Sequence, residues 1–201
     1  HHYHYYFPLV HICKTAALAG SGAAAQRHYR RSAVARLVHR GLVKHCIKST
    51  RFSTGSFAQL TVLDLSFNNL SEVAVRALGT LPRLQALDLS DNNLGSLPLN
   101  LEGFADLSHL NLDRNALSSP NVFQALAGLP SLASLSLEHN DITFVPPLKA
   151  ETDDALLPFP ALHILSLVAN RIAEPDDFVA LGDWPELVQV FFFFFFFFFF
   201  L

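Results

Sequence analysis

The 201-residue chain contains no methionine, two cysteines, and no acidic residue before position 60. The missing methionine marks it as a processed product, a fragment or an imperfect gene model. Cys13 and Cys46 lie far apart with no CxxC partner, which argues against a disulfide framework or a structural zinc site. Also missing are GxxxxGK[ST], GxSxG, HExxH and CxxC, the short patterns that would announce phosphate binding, nucleophilic catalysis or metal chemistry. Long mixed apolar runs are absent too. The one uninterrupted stretch, Phe191 to Phe200, stays shorter than the roughly 20 residues of a membrane-spanning helix even with Leu187, Val188 and Val190. A run of one aromatic has no period with which to choose a buried face, so we read 191–201 as an artefact of sequence or translation and not as an anchor.

Charge is distributed as unevenly as cysteine. Residues 1–59 hold nine of the fourteen Lys and Arg, whereas residues 60–201 hold five together with all seventeen acids, so the net charge of −3 is the sum of about +9 and −12. Such asymmetry separates two physically different objects. Residues 1–56 are taken as a basic, acid-free leader, disordered or artefactual. Its Arg27, Arg30, Arg31, Arg36 and Arg40 also meet the compositional rules for a transit peptide or, with Tyr29 to stack on bases, a nucleic-acid tail. His1, His2 and His4 lack the spacing that fixes metal ligands.

What fills residues 57–190 is repetition. LQALDLSDNNL at 84–94 recurs in the stretches that open at Leu60, Leu107, Leu132 and Leu162, and a sixth copy starts at Leu187. Each full copy reads LxxLxLxxN and closes on Leu or Ile, with starting leucines 23 to 30 residues apart. This is the leucine-rich repeat. The LxL pair alternates along a short strand and sends both leucines to one side, and stacked repeats pair those strands into a parallel sheet over a continuous core. Asn68, Asn92, Asn115, Asn140 and Asn170 close the turns, because a short amide both donates to and accepts from backbone groups that a bend leaves unpaired. Three residues before each opening leucine stand Phe57, Leu81, Phe104, Leu129, Phe159 and Trp184, expected to close the core on its convex side.

The returning segments are less uniform. Residues 71–79 and 119–128 open with Ser and end with Gly, the start and stop signals of a short helix, and 174–182 carries Pro175 in a first turn followed by acids. Residues 95–103 read as irregular, and 145–160 as a loop inserted between the fourth and fifth repeats. A solenoid needs end caps. Residues 1–56 contain no convincing one, so a cap or further repeat is expected upstream in the full chain. The fold class expected is therefore an α/β leucine-rich repeat solenoid, with a curved parallel sheet on the concave face and short helices or irregular segments on the convex face.

Binding is expected on the concave face, at the x positions around the paired leucines. The column ahead of the pair is Val62, Ala86, His109, Ser134 and Ile164, and the column inside it is Asp64, Asp88, Asn111, Ser136 and Ser166. Next come Ser66, Ser90, Asp113, Glu138 and Val168, then Phe67, Asp91, Arg114, His139 and Ala169. The first four repeats are acidic there and the fifth is apolar. The candidate partner-binding residues are Asp64, Phe67, Asp88, Asp91, His109, Asp113, Arg114, Glu138 and His139. His109, Ser134 and a nearby Asp88 or Asp113 have the makings of a nucleophilic triad, yet an open sheet offers no pocket or oxyanion donors. Asp113, Glu138 and His139 could hold a metal, but a solvated polar face explains them as well. No enzyme activity, cofactor or metal is expected. The expected partner is a protein, basic in character, bound to a monomer without a membrane. A nucleic-acid-associated factor acting through the basic leader is the alternative.

Three phrases carry a closer likeness. LDLSFNNLSEVAVRALGTLPRLQALDLSDNNLGSLPLNL, LNLDRNALSSPNVFQALAGLPSLASLSLEHNDI and PFPALHILSLVANRIA together resemble the repeat region of the X-ray radiation resistance-associated protein family, over about two thirds of the chain. The resemblance implies an intracellular, non-enzymatic protein of cytoplasm and nucleus tied to radiation response, and it carries over no catalytic residue. The insertion after the fourth repeat is shorter here than that family implies, and the phenylalanine run stands where a final repeat would finish with its own Asn.

Overall fold

The structure, a computed structural model, describes residues 59–99, 101, 103–148 and 157–192, together with the backbone of 34–36. Its centre is a parallel sheet of seven three-residue strands in chain order: β1 Val34–Arg36, β2 Val62–Asp64, β3 Ala86–Asp88, β4 His109–Asn111, β5 Ser134–Ser136, β6 Ile164–Ser166 and β7 Gln189–Phe191. Each strand pairs only with its sequence neighbours, as a solenoid requires.

The register is the one the repeat implies. Leu63, Leu87, Leu110, Leu135, Leu165 and Val190 stand opposite one another across β2 to β7, and so do Asp64, Asp88, Asn111, Ser136, Ser166 and Phe191. The second leucines, Leu65, Leu89, Leu112, Leu137 and Leu167, follow the strands and are all buried. Alternation sends these leucines into one core and the residues between them to the other face. Leu81, Phe104, Leu129, Phe159 and Trp184 close the core on the far side, where Trp184 stacks on Phe159 with ring centroids 4.3 Å apart and tilts against Phe123 at 6.1 Å. Phe57 lies outside the described residues.

Turning each repeat requires left-handed backbone just past the strand. Phe67, Asp91, Arg114, His139 and Ala169 all have φ between 54° and 60°. None is glycine, so each turn holds an unfavourable conformation that neighbouring interactions must offset. The asparagines that follow supply those interactions. Asn92 Nδ2 donates to Leu65 O and Leu89 O at 2.9 Å and to Ser90 O at 3.0 Å, while its Oδ1 accepts from Asn68 N at 3.1 Å and Leu70 N at 3.0 Å. Asn115 does the same one repeat on, with Leu89 O, Leu112 O, Asn92 N and Leu94 N, and Asn140 and Asn170 continue the series. Every rung after the first thus ties its own turn to the preceding one.

The returning segments depart from expectation in instructive ways. Helix α1, Glu72–Leu78, is capped by Ser71, whose Oγ accepts from Ala74 N at 3.4 Å. Gly79 ends it, but at φ −61° and not in the left-handed form a stop glycine usually supplies. The physical reason for glycine is the next repeat: a Cβ on Gly79 would stand a tight 3.3 Å from Gly103 Cα, and one on Gly103 would stand 2.3 Å from Gly79 O. Helix α2, Asn121–Leu126, has no side-chain cap. Ser119, which the sequence offers as its start signal, donates instead to Phe144 O in the following repeat.

The third expected helix is a 3₁₀ helix over Pro175–Asp183, with Asp177 accepting from Glu174 N at 3.0 Å to fasten its start. A 3₁₀ helix rises about 2.0 Å per residue against about 1.5 Å for an α-helix, so this short segment covers more of the returning path. Residues 95–99 form neither helix nor strand, as expected. The ends of the insertion are held by Val145 N, which donates to Asp177 O at 2.8 Å, and Phe159 N, which donates to Ala127 O at 2.9 Å; its middle lies outside the described residues.

Two strands touch segments set apart in the sequence. β1 falls within 1–56 and pairs with β2, placing Arg36 opposite Asp64. Phe191, the first of the phenylalanine run, closes β7 and accepts from Leu167 N at 2.7 Å, and Phe192 lies against Phe178 at 4.6 Å. The rest of both segments is outside the described residues.

Removing one rung tests the turn assignment. Asn92→Ala strips five hydrogen bonds from two turns and should cost about 3 to 5 kcal/mol by denaturant titration. Gly103→Ala should cost about 1 to 3 kcal/mol by forcing two repeats apart. A titration unchanged by Asn92→Ala would disprove the bridging role of the amide.

Candidate functional site

The nine candidate residues lie on the strands or in the turns just past them, and they are not equally accessible. Phe67, His109, Arg114 and His139 are exposed, and Asp88, Asp91, Asp113 and Glu138 are half-buried. Asp64 is only 2% exposed, so the carboxylate expected to meet a partner is enclosed instead. Its Oδ1 accepts from Ser66 Oγ at 2.7 Å and Ser66 N at 3.0 Å. Asp64 therefore belongs to the framework of its own turn.

The same device recurs with a change of hand. Asp88 Oδ1 accepts from Ser90 Oγ at 2.7 Å and Ser90 N at 2.9 Å. From β4 onward the acid moves two residues later and reaches across to the next repeat. Asp113 Oδ1 accepts from Ser136 Oγ at 2.6 Å and Glu138 N at 2.8 Å, and Glu138 Oε1 accepts from Ser166 Oγ at 2.7 Å. Asn111 performs the exchange, donating to Asp88 Oδ2 at 3.3 Å and accepting from Asp113 N at 2.9 Å. Sequence reasoning tabulated both columns and missed this pairing. The signal was present, since wherever one column carries an acid the other supplies a serine, first beside it and then one repeat further on.

These bonds do not make the acids comfortable. Burial pushes the Asp113 carboxyl up to about 6, against the pull of its bonds to Ser136 and Glu138 N, and the charges of Glu138 and Asp88 push the same way. Asp88 is raised for the same leading reason, opposed by its bonds to Ser90 and Asn111 and assisted by the charge of Asp64. Asp88 at the end of β3, Asp113 just past β4 and Glu138 just past β5 thus form a strip of neighbouring carboxylates on successive repeats, whose strands lie about 4.8 Å apart.

The parts of the triad take other partners. His109 and Ser134 do face each other across β4 and β5. However, His109 Nδ1 shares a 2.9 Å hydrogen bond with Ser108 Oγ, while Asp113 is engaged by Ser136 and Glu138. Among the described residues no three His, Cys, Asp or Glu side chains gather as a metal site, and no helix is long and apolar enough to cross a membrane.

Known proteins agree with this architecture. The leucine rich repeat family model matches residues 58–117. X-ray radiation resistance-associated protein 1 of Mus musculus is 40% identical over 121 residues, which cover 51% of this chain and 15% of that protein. This chain therefore spans a small part of that relative's length. The crystal structure of the APL1 leucine-rich repeat domain superposes with a TM-score of 0.54 at 24% identity, covering 83% of this chain and 44% of that one. The chain has the fold of a leucine-rich repeat solenoid with a parallel sheet, and its repeats resemble those of the mouse protein.

The raised Asp113 carboxyl fixes the sign of a stability change. In the unfolded chain this group ionises near 3.8, in the folded protein near 6. The folded state is therefore favoured at low pH, and that advantage is lost as pH rises from about 4 through about 6. Asp113→Asn keeps an acceptor for Ser136 and removes the charge. It should raise the melting temperature at pH 7.5, by at most about 3 kcal/mol in free energy, and leave it unchanged near pH 4. Destabilisation at pH 7.5 with no change near pH 4 would show that the charge is needed where it stands.

Proposed function

We propose that this leucine-rich repeat protein is a non-enzymatic scaffold that binds a basic protein partner on the strand face, the concave side expected of such a solenoid. A stacked-repeat fold of this kind supports protein interaction as its general use. The observation that carries the finer reading is the strip Asp88, Asp113, Glu138. Its carboxylates lie side by side, half-buried, with Asp113 pushed up to about 6 by burial and by its acidic neighbours. A cation brought against that strip offsets the desolvation and the mutual repulsion, so a basic surface is favoured there. The apolar end of the same face, Ile164 and Val168 on and after β6, offers contact area without charge.

The protein acts in this reading as a monomer in cytoplasm and nucleus. A place in a radiation or stress response rests on the mouse relative alone.

Association kinetics test the proposal. With a partner recovered by affinity capture on the full chain, Asp88→Asn combined with Asp113→Asn should slow association about tenfold at low salt. Asp176→Asn with Glu186→Gln, two exposed acids away from the strand face, should have a much smaller effect. Raising salt to about 0.5 M should erase the difference, because screening then acts within about 4 Å. Equal effects from the two pairs would refute the acidic strip as a steering surface and turn attention to Phe67, Ile164 and Val168.

A further inference from the structure

One large apolar side chain on the strand side stands outside the core. Phe67 is 55% exposed, between the buried Leu65 and Asn68, and holds φ at 60°. A bulky side chain in the left-handed region is disfavoured, and here the ring gains no core burial in return. The turn itself does not ask for it, since Ala169 occupies the equivalent place in the fifth repeat at φ 57°. Beside it stands Asp91, the same position one repeat on, also left-handed at φ 54°. Phe67 N donates to Ser90 O at 3.1 Å, so the two backbones run one strand spacing apart, about 4.8 Å. Among the described residues no cation pairs with Asp91.

We infer that Phe67 and Asp91 form a subsite for an arginine side chain of the protein partner, its guanidinium laid on the ring and paired with the carboxylate. The inference rests on the strand face being the partner surface. The chemistry favours arginine over lysine because a planar guanidinium stacks on an aromatic face and presents a fork of donors to a carboxylate, whereas an ammonium does only one of these well. It also favours protein over nucleic acid. Asp88 at the end of β3 and Asp113 just past β4 would repel a phosphate backbone.

Two acetylated, amidated peptides test it against the full chain, one alternating arginine with glycine and one alternating lysine with glycine. Calorimetric titration at low salt should show the arginine peptide binding about two- to fivefold tighter. Phe67→Ala, which the turn accommodates as it does Ala169, should abolish that preference while leaving lysine-peptide affinity nearly unchanged. Phe67→Trp should preserve or increase it, and Asp91→Asn should weaken both peptides. Thermal melts accompany each variant to confirm folding. Equal binding of the two peptides, or a preference that survives Phe67→Ala, overturns the subsite. If both peptides bind equally and both are lost with Asp88→Asn and Asp113→Asn, the subsite fails while the acidic-strip reading stands. Absence of any binding overturns both.

Discussion

An asparagine amide inside a tight turn is the interaction on which this molecule rests. Each repeat must reverse direction just past its strand, and it does so through a left-handed residue that is not glycine. The reversal also leaves carbonyls and amides facing inward, where water cannot reach them. Asn92 satisfies groups of two turns at once, accepting from Asn68 N and Leu70 N while donating to Leu65 O, Leu89 O and Ser90 O. A short amide offers two N–H donors and a separate acceptor oxygen, where a Ser or Thr hydroxyl has a single donor. Because each rung reaches back to its predecessor, turn geometry and stacking are one constraint, and the leucine core is aligned as a consequence.

A second, weaker series of polar bonds runs along the strand face and explains why its acids are not simply solvated. Asp64 and Asp88 bind serines of their own turns, Asp113 and Glu138 bind serines of the next repeat, and Asn111 stands between the two patterns. The arrangement spends at least one oxygen of each carboxylate on the framework, and both of Asp88, and still leaves charges crowded together. A surface built this way combines fixed side-chain positions with crowded negative charge.

The far side of the molecule follows different rules from repeat to repeat. Gly79 and Gly103 allow two returning segments to touch backbone to backbone, Ser119 fastens its repeat to Phe144, and the stack of Phe159 on Trp184 fills the core beside the insertion. The variation is tolerated because the strands and asparagines already hold the repeats in register. Returning segments need only cover the core, by α-helix, 3₁₀ helix or irregular chain.

Sequence alone determined the parallel sheet, its register and the identity of the core, because LxxLxLxxN specifies by period which side chains turn inward and which amide closes the bend. It also determined the columns of the strand face residue by residue. Only the tertiary structure decided which of those residues are available. Asp64 and Asp88 occupy the same column, yet the first is enclosed and the second half-buried, a difference that depends on neighbouring strands and not on spacing. The stop glycine of α1 was legible as a position and not as a reason, since contact with Gly103 comes from a residue 24 places away. Likewise Ser119 looks like a helix cap until the following repeat brings Phe144 within reach. Periodicity is a local property and survives in the sequence, whereas burial, charge crowding and cross-repeat partners arise only when the repeats stack.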